Sequence, residues 1–248
     1  MVEQRTEIAT SVAMELAKQL PLKEALSPAA RQVGQLLEDL TKTIQFALVA
    51  IQLAGALQDR VRHFIDRSVR KVPEERRVSP PPQILGPVIE AIRYEPPDTD
   101  LDRMFSELLS ASMDESRLKD AHPAFPSIIR ALSSDEAKLL KSIVTSPVRQ
   151  TTRSPFDVNK NLFEPAILED LQGVPANLLA YPGNCRVYLE HLRQLGLIDF
   201  DATRTPKPER ILETEAGATY QIGVRNFGEY VLSEWGRLFM RAVTRPIS

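Results

Sequence analysis

Apolar residues recur along this chain mostly at helical spacing. Ile8, Val12, Leu16 and Leu20 fall every four residues beside Ala9, Ala13 and Ala17, which predicts an amphipathic helix over 6–20 that Pro21 stops. Ser27-Pro28 restarts the pattern, because serine accepts from free helix N–H groups and proline at the first helical position loses no bond. Leu26, Ala30, Val33, Leu37, Leu40, Ile44, Ala47, Ile51 and Ala54 then alternate steps of four and three, a heptad seam. The seam slips at Gly55. A straight helix over 28–71 would be about 65 Å long, so a bend near Gly55 or self-association through residues 26–54 is expected. Inside it, Ile44, Phe46, Leu48, Val49, Ile51, Leu53 and Leu57 make residues 44–57 apolar nearly all round. At about 21 Å this segment falls short of the roughly 30 Å bilayer core, so it predicts a buried or self-associating helix, or one that engages membrane on activation.

Prolines punctuate the next stretch. Pro73 and Pro80-Pro81-Pro82 predict an extended strap over 73–82. Ile84, Leu85, Val88, Ile89 and Ile92 form one stripe, with Gly86-Pro87 limiting where that helix starts. Thr99 and Asp102 have capping spacing before Leu101, Met104, Phe105, Leu108 and Leu109. Phe125, Ile128, Ile129 and Leu132 form a third stripe, and Ser133 with Glu136 is a capping box before Leu139, Leu140, Ile143 and Val144.

Beyond Thr145 the pattern changes. Residues 146–161 lose periodicity and predict a polar loop, followed by a short helix near 166–171. Val187, Leu189, Leu192 and Leu195 predict a helix ended by Gly196 and followed by a strand at Leu197-Ile198. Tyr220, Ile222 and Val224 alternate as a strand does, with Tyr230-Val231-Leu232 as its partner, and Ser233 caps a last helix carrying Trp235, Leu238, Phe239 and Val243. The order resembles a winged helix-turn-helix. The expected fold is mainly α, a helical bundle over 1–145 followed by a winged-helix-like α+β region over 146–248.

Charge narrows the partners. The net charge is −2, and residues 1–72, 73–145 and 146–248 carry 10, 9 and 12 basic against 8, 13 and 12 acidic side chains. No segment is basic enough for binding to nucleic acid or acidic lipid by charge alone. Cys185 is the only cysteine, which rules out an internal disulfide and suits a reducing cytoplasm. Glu3, Glu7 and Glu15 precede any apolar run, unlike a secretory signal.

Chemistry-bearing groups are sparse. Asp114, Glu115, Asp120 and His122 are the one histidine–carboxylate cluster, and they also sit where one helix ends and the next begins. His63 and His191 lack zinc spacing, and the chain has no phosphate loop, dinucleotide fingerprint or nucleophile elbow. No metal or cofactor is expected and no motif calls for an enzyme. On the helix after Asn184, Arg186, His191 and Arg193 are candidates for contact with nucleic acid or a protein partner.

Pro73-Glu74-Glu75-Arg76, Pro80-Pro81-Pro82, Gly86-Pro87, Glu90-Ala91-Ile92-Arg93-Tyr94, Leu108-Leu109, Ser112-Met113-Asp114, His122-Pro123-Ala124-Phe125 and Ser133-Ser134-Asp135-Glu136-Ala137 together resemble the abortive-infection alpha family of bacterial proteins. The resemblance implies a role in phage defence, in which an infected cell dies or stops growing before phage is released. It supplies no catalytic residues to carry over. The expectation is a non-enzymatic defence factor, cytoplasmic or membrane-associated on activation, that acts on a protein partner, a phage component or a membrane. The alternative is a winged-helix DNA-binding transcriptional regulator.

Overall fold

The computed structural model describes residues 55–213 and 219–245. They contain seven α-helices and a five-stranded antiparallel sheet, and divide into two compact units. The first runs to Leu132 and resumes at Phe239; the second is Ser133–Leu238.

The first unit contains α1 (Gly55–Val69), α2 (Pro82–Ile92), α3 (Asp100–Ser112) and α4 (Phe125–Ala131), with 3-10 turns at Glu74–Arg76 and Leu118–Asp120. Ten of the 13 residues of α3 are buried. A helix enclosed nearly all round is usually apolar, yet α3 buries Asp102, Ser106, Ser110 and Ser112. Its polar side is matched by α1. Ser68 Oγ and Ser106 Oγ lie 2.9 Å apart, Ser110 Oγ donates to Ser68 O (2.9 Å), and Lys71 Nζ reaches Ser106 (2.8 Å) and Glu107 (2.7 Å). The apolar side of α3 supplies Leu101, Met104, Phe105, Leu108 and Leu109 to a core shared with Ile84, Leu85, Val88, Ile89 and Ile92 of α2 and with Phe125 and Ile129 of α4.

Gly86-Pro87 does not delimit α2. The helix begins at Pro82, where proline costs no hydrogen bond, and continues through Pro87. A residue before proline is normally pushed out of the helical region by its Cβ; Gly86 has none, which lets the helix pass.

The second unit contains α5 (Ser134–Thr145), β1 (Val148–Asp157), β2 (Leu162–Phe163), β3 (Ile167–Gln172), α6 (Cys185–Gln194), β4 (Ile198–Glu213), β5 (Thr219–Leu232) and the first turn of α7 (Glu234–Val243), whose remainder belongs to the first unit. The strand order is β2-β1-β5-β4, and β3 also pairs with β1. Register sorts the side chains into two faces. Val148, Gln150, Thr152 and Ser154 of β1 stand opposite Tyr230, Gly228, Asn226 and Val224 of β5, and Phe200 and Ala202 of β4 stand opposite Tyr230 and Gly228. The other face carries the charges: Arg149 pairs with Glu229 (3.6 Å), Arg153 with Glu209, and Arg225 with Glu169 (2.8 Å) and Glu209 (3.2 Å).

These findings overturn the mainly-α expectation. The protein is α+β: the sheet is an extended five-stranded structure, and neither an N-terminal bundle nor a winged helix is established. The expected polar loop at 146–161 is largely β1, and the expected helix near 166–171 is β3. Tyr230-Val231-Leu232 is not the partner of residues 220–224 but the far end of the same strand, and β4 pairs with it throughout. Apolar periodicity missed the strands because β1 alternates charged with uncharged residues, not polar with apolar ones. The heptad seam over 26–54 and the apolar segment from Ile44 to Leu53 lie outside the described residues.

Gly196 follows α6 at φ +71°, with Leu197 N–H returning to Leu192 O (3.0 Å) and Gly196 N–H to Arg193 O (2.9 Å), a Schellman closure. Ser233 caps α7 by accepting from Gly236 N–H (2.8 Å) while its Oγ donates to Gly196 O. A Cβ on Gly236 would fall inside the van der Waals radius of the Leu197 carbonyl oxygen, so only glycine lets α7 pass this close to the backbone. Gly236→Ala is therefore expected to lower stability by about 1–3 kcal/mol in urea unfolding. An unchanged midpoint would show that α7 moves away freely.

Candidate functional site

The first unit gathers most of the residues named from sequence as a motif. Pro73 leads into the turn at Glu74–Arg76, whose chain runs beside the end of α3. Val78 N–H donates to Met113 O (2.8 Å), Glu115 N–H to Arg76 O (2.9 Å), and Arg77 bridges to Asp114. Asp114 is 4% exposed. Its carboxylate accepts from Ser116 N–H (3.0 Å) and Ser116 Oγ (2.7 Å) and faces the Arg76 guanidinium at 3.5 Å. Glu74 pairs with Arg77 (3.4 Å), and Glu75 is exposed. Gly86 and Pro87 lie in α2.

The histidine–carboxylate cluster does not converge. His122 Nδ1 accepts from Ala124 N–H (3.1 Å) at the start of α4, and exposed Pro123 lies between them. Asp120 pairs with Arg241 (3.1 Å). Among the described residues, no group of histidine, cysteine, aspartate and glutamate side chains is arranged to hold a metal. Arg117 instead binds the carbonyls of Arg241 (3.1 Å) and Thr244 (3.0 Å), placing a cation at the negative end of α7.

The second unit concentrates its buried charge in the first turn of α5. Asp135 is 4% exposed. It accepts from Ala180 N–H (2.9 Å), Tyr181 N–H (2.8 Å) and Tyr188 Oη (3.3 Å), which ties the segment before α6 to α5. The Ala180 N–H bond is the largest cause holding its pKa below the usual carboxylate value; burial opposes it, and the bonds from Tyr181 and Tyr188 and the charge of Lys138 assist. Glu136 closes the capping box, accepting from Ser133 N–H (2.7 Å) while Ser133 Oγ accepts from Glu136 N–H (3.2 Å). Its other oxygen lies 2.6 Å from His191 Nδ1.

This divides the three candidates on α6. His191 is half-buried and turned toward Glu136. Arg186 and Arg193 are exposed, with Val187, Glu190 and Gln194 on the same stripe. No ion pair or hydrogen bond holds either guanidinium among the described residues, whereas Arg149, Arg153, Arg225 and Arg237 of the same unit are all ion-paired. Both arginines act electrostatically on the phenol of Tyr230, whose pKa is raised chiefly by burial; the arginines oppose that rise. The Tyr230 hydroxyl donates to Gln150 Oε1 (2.9 Å), and its ring packs on Phe200 with centroids 5.0 Å apart. Burial lifts the Cys185 thiol to about 11, far from a reactive thiolate.

Sequence reasoning missed Asp135 as an anchor, because its partners are backbone groups 45 and 46 positions away. It also missed Phe200, Tyr230 and Gln150, which only strand register brings together. The even-numbered run Val148, Gln150, Thr152 and Ser154, free of charge between Arg149 and Arg153, was the available signal. Ile44, Phe46, Leu48, Val49, Ile51 and Leu53 lie outside the described residues; Leu57 falls in the first turn of α1. Among the described residues no helix is long and apolar enough to cross a membrane.

An α+β protein whose buried carboxylates serve as caps and anchors, with two unpaired arginines on an exposed helix, is the class that fold and site define. Residues 54–243, most of the chain, match the family described as abortive infection alpha, and the chain belongs to that family. No curated protein and no solved structure matches it.

Replacing Asp135 with alanine removes the charged acceptor of the part-buried Ala180 and Tyr181 N–H groups, at about 1 kcal/mol each. Asp135→Ala is expected to lower the urea midpoint accordingly. Because the folded carboxyl titrates below its unfolded value, its contribution is present above the unfolded pKa, about 3.9, and is lost as pH falls through the folded value. Wild type should therefore lose stability more steeply than the variant below about pH 4. Parallel acid profiles would rule out Asp135 as the anchor.

Proposed function

We propose that this member of the abortive infection alpha family acts in phage defence as a binding protein and not as a catalyst, and that the exposed stripe of α6 meets its partner. The family match supports the association with abortive infection. The supporting observation for binding is the contrast on α6: among the described residues Arg186 and Arg193 stand exposed and unpaired, whereas Arg149, Arg153 and Arg225 of the sheet are neutralised. Ion-pairing surface arginines at home and leaving two open on one helix leaves positive charge directed at a partner.

The groups that could serve acid–base chemistry have structural duties. Asp114 holds the turn at Arg76 to the end of α3, Asp135 anchors the 180–181 backbone, and Glu136 joins a helix cap to His191. Exposed Val187 and Tyr181, at 64% and 69% exposure, add apolar area beside the arginines. Aromatic and arginine side chains of this kind are the usual anchors of interfaces.

In cells carrying the gene, the double variant Arg186→Glu with Arg193→Glu is expected to lose protection from phage, with plaquing efficiency returning to that of cells lacking the gene. Its thermal midpoint should stay near wild type, since neither side chain is packed or paired. Full protection by a normally folded double variant would refute the role of α6.

A further inference from the structure

We infer that the partner surface beside α6 recognises single-stranded nucleic acid, with bases stacking on the uncharged face of the sheet and phosphates meeting Arg186 and Arg193; this rests on the α6 reading above. The two sheet faces are chemically segregated. Arg149, Arg153, Arg225, Glu209 and Glu229 all fall on one face, where they neutralise one another. The opposite face carries Tyr230, Phe200, Gln150, Gly228, Thr152 and Asn226 in register, and none of these six is charged.

The geometry of that face suits flat rings. The Phe200 ring lies over Gly228, where a Cβ would collide with its Cζ and Cε1 atoms. A ring laid against bare backbone keeps its other side open, and Phe200 is 37% exposed. Tyr230 packs beside it at 5.0 Å and points its hydroxyl to Gln150. Base–aromatic stacking tolerates any sequence, because every base has a π-face. Gln150, Thr152 and Asn226, half-buried along the same face, offer amide and hydroxyl groups to base edges.

The positive charge lies at one rim. Arg186 and Arg193 are seven residues apart, about 10.5 Å along the helix, and α6 leads through Gly196 directly into β4, where Phe200 stands opposite Tyr230. Glu190 lies between them and opposes the field. The balance is set for a few phosphate contacts plus stacking, not for charge-driven binding to duplex, which agrees with a net charge of −2.

The test uses the full chain with fluorescein-labelled 20-nucleotide single-stranded DNA, single-stranded RNA and the matching DNA duplex, followed by fluorescence anisotropy over a salt series. Either or both single strands should bind roughly tenfold or more tightly than duplex. Arg186→Ala with Arg193→Ala should weaken binding and lower the logarithmic salt slope by about 0.7 for each phosphate that an arginine no longer neutralises. Phe200→Leu keeps apolar packing over Gly228 but removes the ring, and should weaken binding roughly tenfold at an unchanged melting temperature, while Phe200→Tyr retains it. Arg149→Ala, on the charged face, should bind as wild type does. Equal affinity for duplex and single strand, or indifference to Phe200→Leu, would overturn the assignment. So would absence of single-strand binding; if the α6 charge reversal nevertheless abolishes protection, the binding reading stands and its partner is a protein.

Discussion

Four carboxylates are buried among the described residues, and each fixes a place where distant stretches of chain meet. Asp102 is 1% exposed and holds α1 through Arg67 at 2.7 Å and Arg60 at 3.6 Å. Asp114 holds the strap, Asp135 the segment before α6, and Glu136 both the α5 cap and His191. A buried carboxylate left unpaired costs several kcal/mol, so none of these contacts is optional once the chain has collapsed. A well-paired buried charge is nevertheless close to neutral against an apolar replacement. What such groups contribute is choice of arrangement: within each unit, the chain must cross where its two buried carboxylates find their partners.

The same constraint explains which parts of the fold could be read from the chain. The starts of α3 and α5 were legible because Thr99, Ser133 and Glu136 act within four residues of themselves. The three apolar stripes were legible because their spacing is local. The far partners of Asp102, Asp114 and Asp135 were not, since charge alone does not say which of many arginines or N–H groups will meet a given carboxylate. The Asp114–His122 region illustrates the ambiguity. Its residue types suit a metal or an acid–base pair, and its geometry turns each toward a separate structural partner. Strands were lost for a different reason. In β1 the alternation is Arg149 and Arg153 against Gln150 and Thr152, a pattern invisible to a search for apolar periodicity.

The sheet also shows how its ion pairs are gathered on one face. β4 is an edge strand, and it carries Pro206 and Pro208 and shifts register between Ala202 and Lys207. Proline removes a donor and shifted register twists the ladder, so this edge is a poor template for another strand. On the charged face, ion pairs between neighbouring strands satisfy the arginines locally. What remains open is the uncharged face, together with the helix that borders it.

That helix is tied to the rest of its unit near both ends. At its N-terminal end Asp135 grips the Ala180 and Tyr181 amides and receives the Tyr188 hydroxyl. In its last turns His191 faces Glu136, and Leu189 and Leu192 are buried. Beyond it, the Gly196 closure is tied to Ser233, which also caps α7. A surface held at both ends loses little freedom when a ligand arrives, so two arginines and a flat aromatic pair can contribute more to affinity than the same groups on a loop. For a protein with almost balanced charge, that preorganisation matters more than field strength. On the proposed reading, the positions of Arg186, Arg193 and Phe200, and not the total charge, decide what this surface accepts.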